Sequence, residues 1–93
     1  MRAVHHDDAR QRYELREHGA SDVLAFAEYR VDGDVWEFHH TVTVPERRGQ
    51  GLAAEVVRGA LEDVGARSGR VVPTCWYVDG FLRDHPEFAG LRA

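Results

Sequence analysis

Alternating apolar and polar residues predict three antiparallel strands in the first half of the chain. Residues 12–16 alternate over a short stretch, which is typical of a half-buried strand. Residues 23–31 and 34–44 are longer strand-like stretches, and Asp32-Gly33 between them favours a tight hairpin turn. Because neighbouring side chains of a strand face opposite ways, one face of the 34–44 strand is expected to be buried. That face comprises Trp36, Phe38, His40, Val42 and Val44.

The second half of the chain has the pattern of a helix, a short strand and a second helix. Residues 53–66 carry apolar side chains at helical spacing, and glycines follow at the end of this helix. Residues 70–75 predict a strand that contains Pro73, and residues 76–84 predict a short final helix. A right-handed crossover would place the 70–75 strand parallel to the 34–44 strand and beside it.

Length and composition indicate a single small domain over residues 1–93. Residues 1–10 are mostly polar, and we expect them to be loose. The net charge of −4 argues against nucleic acid as a partner, since binding to a phosphate backbone needs a basic face. The chain shows no apolar stretch typical of a leader or a membrane span, and its single cysteine fits a reducing compartment. We therefore expect a cytoplasmic protein without membrane partners, as a monomer or a weak homo-oligomer.

A glycine-containing loop between the 34–44 strand and the 53–66 helix has the properties of an anion-binding site. Free N–H groups at a helix start and the positive end of the helix dipole both favour a phosphate there. Gly49 and Gly51 have no Cβ, so a ligand can approach the backbone, and Arg48 adds a planar, charged donor. A Walker loop is excluded because the chain contains no lysine, and a dinucleotide-binding loop lacks its βαβ context.

This loop resembles the pyrophosphate loop of the GNAT acetyltransferases. Arg48-Gly49-Gln50-Gly51-Leu52-Ala53 fits the Arg/Gln-x-x-Gly-x-Gly/Ala pattern of that superfamily, after a Val-x-Val-Pro strand end. His40-Thr41 before the loop and Cys75-Trp76-Tyr77 after the next strand are similar to the small, single-domain GNAT-like N-acetyltransferase subgroup. The resemblance spans the chain from Tyr13 to its C-terminus.

The resemblance implies a short GNAT-like α+β fold, with antiparallel strands followed by a βαβ crossover and two helices. In the superfamily the two parallel strands splay apart, and the acyl-thioester arm lies in the opening. Pro73 suits this splay because it has no N–H to donate to a neighbouring strand. Two further helices usually wall the acceptor side, but residues 19–22 are too short to hold them. The usual N-terminal helices are therefore expected to be absent.

The implied activity is transfer of an acetyl group from acetyl-CoA to an amine, with no metal. The strand edge at Val42 and Val44 would offer backbone hydrogen bonds to the pantetheine arm of the acyl-CoA. The pyrophosphate of coenzyme A would be held by the loop and helix start, which comprise Arg47, Arg48, Gly49, Gln50, Gly51, Leu52, Ala53 and Ala54.

Three residues are candidates for the chemistry. Members of the subgroup are thought to use a cysteine and a histidine, which implies Cys75 as nucleophile and His40 as base. Tyr77 would protonate the leaving thiolate, and its alternative role is core packing. The superfamily at large transfers the acetyl group directly, in which case Cys75 would be a small buried core residue. A zinc site formed by His39, His40 and Cys75 lacks a fourth ligand.

The sequence leaves the amine acceptor open. Without the usual helices, the thioester end is expected to open onto a broad surface, which favours an amine on a protein or peptide. The same absence favours the alternative function of a non-catalytic regulatory module that binds CoA or acetyl-CoA. A nucleotide-binding fragment is a third interpretation.

Overall fold

The protein forms a five-stranded mixed sheet with two helices. The computed structural model describes residues 1–93. The strands are β1 (Arg2–Asp7), β2 (Arg12–Glu17), β3 (Val23–Asp32), β4 (Val35–Thr43) and β5 (Arg70–Pro73); the helices are α1 (Leu52–Ala66) and α2 (Trp76–Asp84); short 3-10 turns cover Pro45–Arg47 and Pro86–Leu91. The sheet order is β1-β2-β3-β4-β5, with all neighbours antiparallel except the parallel pair β4 and β5.

The predicted hairpin, crossover and α+β class are confirmed. Neither helix has the length and hydropathy needed to cross a membrane.

The hydrophobic core lies between one face of the sheet and both helices. The sheet contributes an aromatic cluster, in which the ring centre of Tyr29 lies 4.6 Å from that of Trp36 and 5.7 Å from that of Phe38. Arg58 of α1 lies over the Phe81 ring of α2, which shows that the two helices are neighbours. The helices bury apolar side chains in this one core: Leu52, Val56, Val57, Ala60, Leu61 and Val64 of α1, and Val78, Phe81 and Leu82 of α2.

The opposite face of the sheet carries no helix, and part of it is covered by its own arginines. Glu14 lies on this face and is nevertheless inaccessible to solvent, because Arg12 and Arg16 donate hydrogen bonds to its carboxylate oxygens. The Arg12 guanidinium also lies 4.5 Å from the centre of the Phe26 ring. Although burial opposes ionisation, the hydrogen bonds from Arg16 and Arg12 keep the pKa of Glu14 below its usual value. The β2 side of this helix-free face is therefore closed by its own side chains.

The N-terminal segment is an edge strand, so the prediction that residues 1–10 are loose was wrong. β1 pairs antiparallel with β2. The His6 ring stacks on Tyr13 with ring centres 4.4 Å apart, and its Nε2 lies 2.6 Å from the Tyr29 hydroxyl. Arg2 donates to the Glu55 carboxylate of α1 at 2.6 Å. These are long-range polar and aromatic contacts, which a search for local apolar periodicity does not detect.

A bulge in β4 changes which of its side chains face the core. Glu28 pairs with His40 and Tyr29 pairs with Phe38, so His39 is an extra residue without a partner on β3. Beyond this bulge the alternation is reversed, because one added residue exchanges the two faces of a strand. Thr41 therefore faces the helices, whereas His40 is exposed on the helix-free face. The prediction that His40 shares the buried face of the strand was wrong for this reason.

The contact between β1 and α1 requires a glycine at position 59. A Cβ at Gly59 would lie 2.6 Å from Cγ2 and 2.8 Å from Cβ of Val4. We expect Gly59→Ala to be less stable than Gly80→Ala by about 2 kcal/mol, the order of an overpacking cost. Gly80 is the matched control because it is also helical, and its added Cβ would meet only Arg83 Nη2 at 3.9 Å. Urea unfolding measures both variants, and equal stability would contradict the tight β1–α1 contact.

Candidate functional site

A cleft opens where β4 and β5 separate. The pairing of the two strands begins where Val35 lies opposite Arg70 and ends where Phe38 lies opposite Pro73. The Cys75 N–H then donates to the Phe38 carbonyl at 3.0 Å. β4 continues to Thr43 paired with β3, but no strand lies on its other side beyond Phe38, as the predicted splay requires. The cleft has a volume of about 310 Å³. It is lined by His39, His40, Thr41, Thr43, Ala53, Thr74, Cys75, Trp76 and Tyr77.

A larger depression of about 640 Å³ lies between β1 and α1, away from these residues. Two pairs of its polar side chains are already hydrogen-bonded to each other. Arg2 binds Glu55 at 2.6 Å, and the Tyr13 hydroxyl donates to Asp63 at 2.6 Å. The cleft between β4 and β5 contains the free thiol of Cys75 and adjoins the glycine loop, so it is the candidate functional site.

The free edge of β4 is formed by different residues from those predicted. The N–H of Val44 donates to the Leu24 carbonyl at 3.0 Å, so this backbone group points towards β3 and away from the cleft. In an antiparallel strand the backbone groups of alternate residues point to the same side, so Val42 also points towards β3. The assignment of Val42 and Val44 to the free edge was therefore wrong. Thr41 and Thr43 are the residues whose backbone groups point into the cleft.

The glycine loop ends in an uncapped helix start. Gly49 and Gly51 both have left-handed backbone conformations, with φ of +83° and +75°. Gly51 is the N-cap of α1 and provides no side-chain hydrogen bond, so the first N–H groups of a 15-residue helix have no capping partner. Apart from Gly51 itself and its two chain neighbours, no residue has an atom within 4 Å of the position that a Cβ of Gly51 would occupy. The helix start therefore combines free N–H donors with open space for an anion.

The side chains around the loop differ in their availability to a ligand. Arg47 is half-buried, lies 3.6 Å from the Glu17 carboxylate and donates to Gln50 Oε1 at 3.2 Å. Arg48 is exposed and takes part in none of the ion pairs of the protein. The side chain of Leu52 is buried in the core, so only its backbone can contact a ligand. Ala53 lines the cleft, whereas Ala54 packs against the core.

The Cys75 side chain is buried, with 8 % of the residue exposed, at the inner end of the cleft. Its Sγ lies 3.6 Å from the Thr41 hydroxyl, within hydrogen-bonding distance for sulfur. Cys75 is also the N-cap residue of α2. Thr41 was missed as a thiol contact in the sequence analysis because only the β4 bulge turns it towards the helices.

Tyr77 and the two histidines line different parts of the cleft. Tyr77 is half-buried, and burial raises the pKa of its phenol, so the hydroxyl stays protonated at neutral pH and can donate a proton. His39 occupies the bulge, and His40 lies with its ring 6.3 Å from that of Phe26 on the helix-free face. No hydrogen bond joins either histidine to Cys75. The cleft therefore passes through the sheet, with the thiol on the helix side and His40 on the helix-free side.

Comparison with known families gives the identity of this fold and loop. A family model described as "GCN5-related N-acetyl-transferase" matches residues 12–91. The chain belongs to this family. The match includes the glycine loop and Cys75, and it confirms the predicted GNAT resemblance of the chain.

Relatives and solved structures agree with this acetyltransferase family. Protein NATD1 of Bos taurus is 29% identical over 83 residues, which are 89% of this chain and 74% of that protein. Protein NATD1 of Homo sapiens is 26% identical over 83 residues, again 89% of this chain and 74% of that protein. The solution structure of a GCN5-like putative N-acetyltransferase from Staphylococcus aureus matches with a TM-score of 0.73 and 16% identity, covering 98% of this chain and 87% of that one. The ribosomal-protein-S18-alanine N-acetyltransferase of Escherichia coli matches with a TM-score of 0.63 and 15% identity, covering 78% and 49%.

Proposed function

We propose that this family member is an acetyl-CoA-dependent N-acetyltransferase that moves the acetyl group through Cys75. The observation that carries the proposal is the continuity of three features. The uncapped start of α1 suits the pyrophosphate, the free β4 edge at Thr41 and Thr43 suits the amide groups of the pantetheine arm, and the cleft then leads to the Cys75 thiol. Arg48 is the available cation beside the phosphates.

The proposed chemistry has two steps. The Cys75 thiolate attacks the thioester carbonyl, a new C–S bond forms, and the CoA thiolate leaves with a proton from Tyr77. The amine then attacks the acetyl-cysteine, the bond from the acetyl carbon to Sγ breaks, and Cys75 leaves as the thiolate. The proton of the amine passes to His40 and returns through solvent to Tyr77, which restores the starting protonation states. Because His40 faces the helix-free side, it suits deprotonation of an incoming amine better than deprotonation of the buried thiol. Direct attack of the amine on acetyl-CoA is the simpler alternative and needs only the base.

The test is a binding titration followed by mass spectrometry. We expect CoA to bind more tightly than pantetheine, which lacks the pyrophosphate, and more tightly than NAD, which has a pyrophosphate but no thiol arm. After incubation with acetyl-CoA, intact-mass and peptide analysis should place one acetyl group on Cys75, and an amine should remove it. Binding of CoA with no acetylation of any amine in a broad panel would instead indicate a regulatory module. Absence of CoA binding would overturn the proposal.

A further inference from the structure

The helix-free face has a hollow that adjoins the cleft. The hollow has a volume of about 380 Å³ and lies over β3, β4 and β5. Thr74 lines both the hollow and the cleft, so the two adjoin at this residue. The half-buried Val35 and Val72 give the hollow an apolar lining, and Asp32 and Glu37 supply carboxylates.

One of these carboxylates is held in place but only weakly neutralised. The Thr74 hydroxyl donates to Glu37 Oε2 at 2.9 Å, which fixes the orientation of the carboxylate. Arg30 lies 3.5 Å from Glu37 Oε1, and its side chain is 68% exposed. An exposed ion pair of this kind contributes little to stability. An incoming cation can therefore replace Arg30 at Oε1 at little cost.

The charges around the hollow favour a cation. Glu28 lies opposite His40 at the cleft and takes part in none of the ion pairs of the protein. The lining of the hollow itself holds two carboxylates, Asp32 and Glu37, against the single guanidinium of Arg30. An apolar lining beside carboxylates suits a side chain with an aliphatic stem and a cationic head.

We propose that the hollow binds an arginine or lysine side chain of a polypeptide acceptor while an amine of the same polypeptide enters the cleft. The proposal rests on the function proposed above, because it concerns the acceptor of that reaction. A polypeptide is favoured over a small amine because the cleft and the hollow are two adjoining spaces, both reached from the uncovered face of the sheet. An extended chain crossing at Thr74 can occupy both, whereas a small amine fills only one.

Acetylation of matched peptides tests this docking. Three peptides of equal length, each with a blocked N-terminus and one lysine, carry arginine, alanine or glutamate on both sides of that lysine. At saturating acetyl-CoA, we expect kcat/KM to be at least about 10-fold higher with flanking arginine than with flanking glutamate, the effect of one charge-assisted contact. Glu37→Gln should remove most of this preference through KM, with CoA affinity unchanged. Arg30→Ala should increase the preference, because the competing guanidinium is gone.

The control is Glu62→Gln, which removes an exposed carboxylate of α1 and should leave the preference unchanged. Loss of activity through misfolding cannot mimic the gain expected for Arg30→Ala.

Peptide binding measured by NMR separates this proposal from the proposed function. Binding in the order arginine, alanine, glutamate, with the expected variant effects but no acetylation, would support the docking surface and count against the enzyme. Acetylation without any flanking preference, or selective use of one small amine, would overturn the docking surface.

Discussion

Replacing Gly51 with valine is expected to weaken CoA binding by at least about 100-fold, because two or more charge-assisted hydrogen bonds of about 1.5 kcal/mol each are lost. The added side chain would occupy the open space beside the first N–H groups of α1. A φ of +75° also disfavours a β-branched residue, so the loop backbone itself is expected to shift. Calorimetric titration with CoA measures the loss.

Gly33→Val is the matched control for this substitution. Gly33 also has a left-handed φ, +63°, and beyond its chain neighbours no residue has an atom within 4 Å of its Cβ position. It lies in the hairpin between β3 and β4, away from the glycine loop. Both variants therefore carry a similar backbone penalty, which thermal unfolding quantifies. We expect only Gly51→Val to lose CoA. Equal CoA affinity in the two variants would mean that the loop does not hold the pyrophosphate.

Cys75→Ala is expected to retain CoA binding and to lose turnover by at least about 1000-fold, the order typical of removing a covalent nucleophile. The substitution removes one buried sulfur, so the cost in stability should be about 1 kcal/mol. Cys75→Ser is the matched control, since its hydroxyl keeps a polar contact with Thr41 and is a much weaker nucleophile. Steady-state rates and intact mass after exposure to acetyl-CoA measure the effect.

The position of His40 makes the same experiment more specific. Because His40 faces the helix-free side, His40→Ala should still acquire an acetyl group on Cys75 and should discharge it slowly to an amine. Full turnover by Cys75→Ala would assign Cys75 to core packing and favour direct transfer. A failure of His40→Ala to become acetylated at all would place the base on the thiol side instead.

The local pattern was sufficient for the elements that depend on neighbouring residues. The turn at Asp32-Gly33, the apolar face of α1 and the glycine loop were all predicted, because spacing and backbone freedom are local properties. β1 could not be predicted, since its stability comes from contacts such as His6 with Tyr29 and Arg2 with Glu55, which join distant parts of the chain.

The errors in the candidate site have a single physical origin. Strict alternation along β4 predicted that His40 is buried, and the GNAT resemblance implied that the backbone of Val42 and Val44 borders the cleft. The bulge at His39 invalidates the alternation for His40, and the hydrogen bond from Val44 to Leu24 shows the true direction of the strand edge. A bulge depends on how two strands fit together, and neither strand sequence alone contains that information. Thr41 could be recognised as the thiol partner only after the strands were paired.

The bulge also makes chain length at this point a functional property of the protein. Any residue that tolerates the local geometry can take the place of His39 without changing which side chains follow it into the cleft. Deleting that position would instead exchange the two faces of β4 after Phe38. Thr41 and Thr43 would then face away from the helices, and His40 would face the core. The number of residues in β4 therefore determines which side chains line the cleft, independently of which residue stands at position 39.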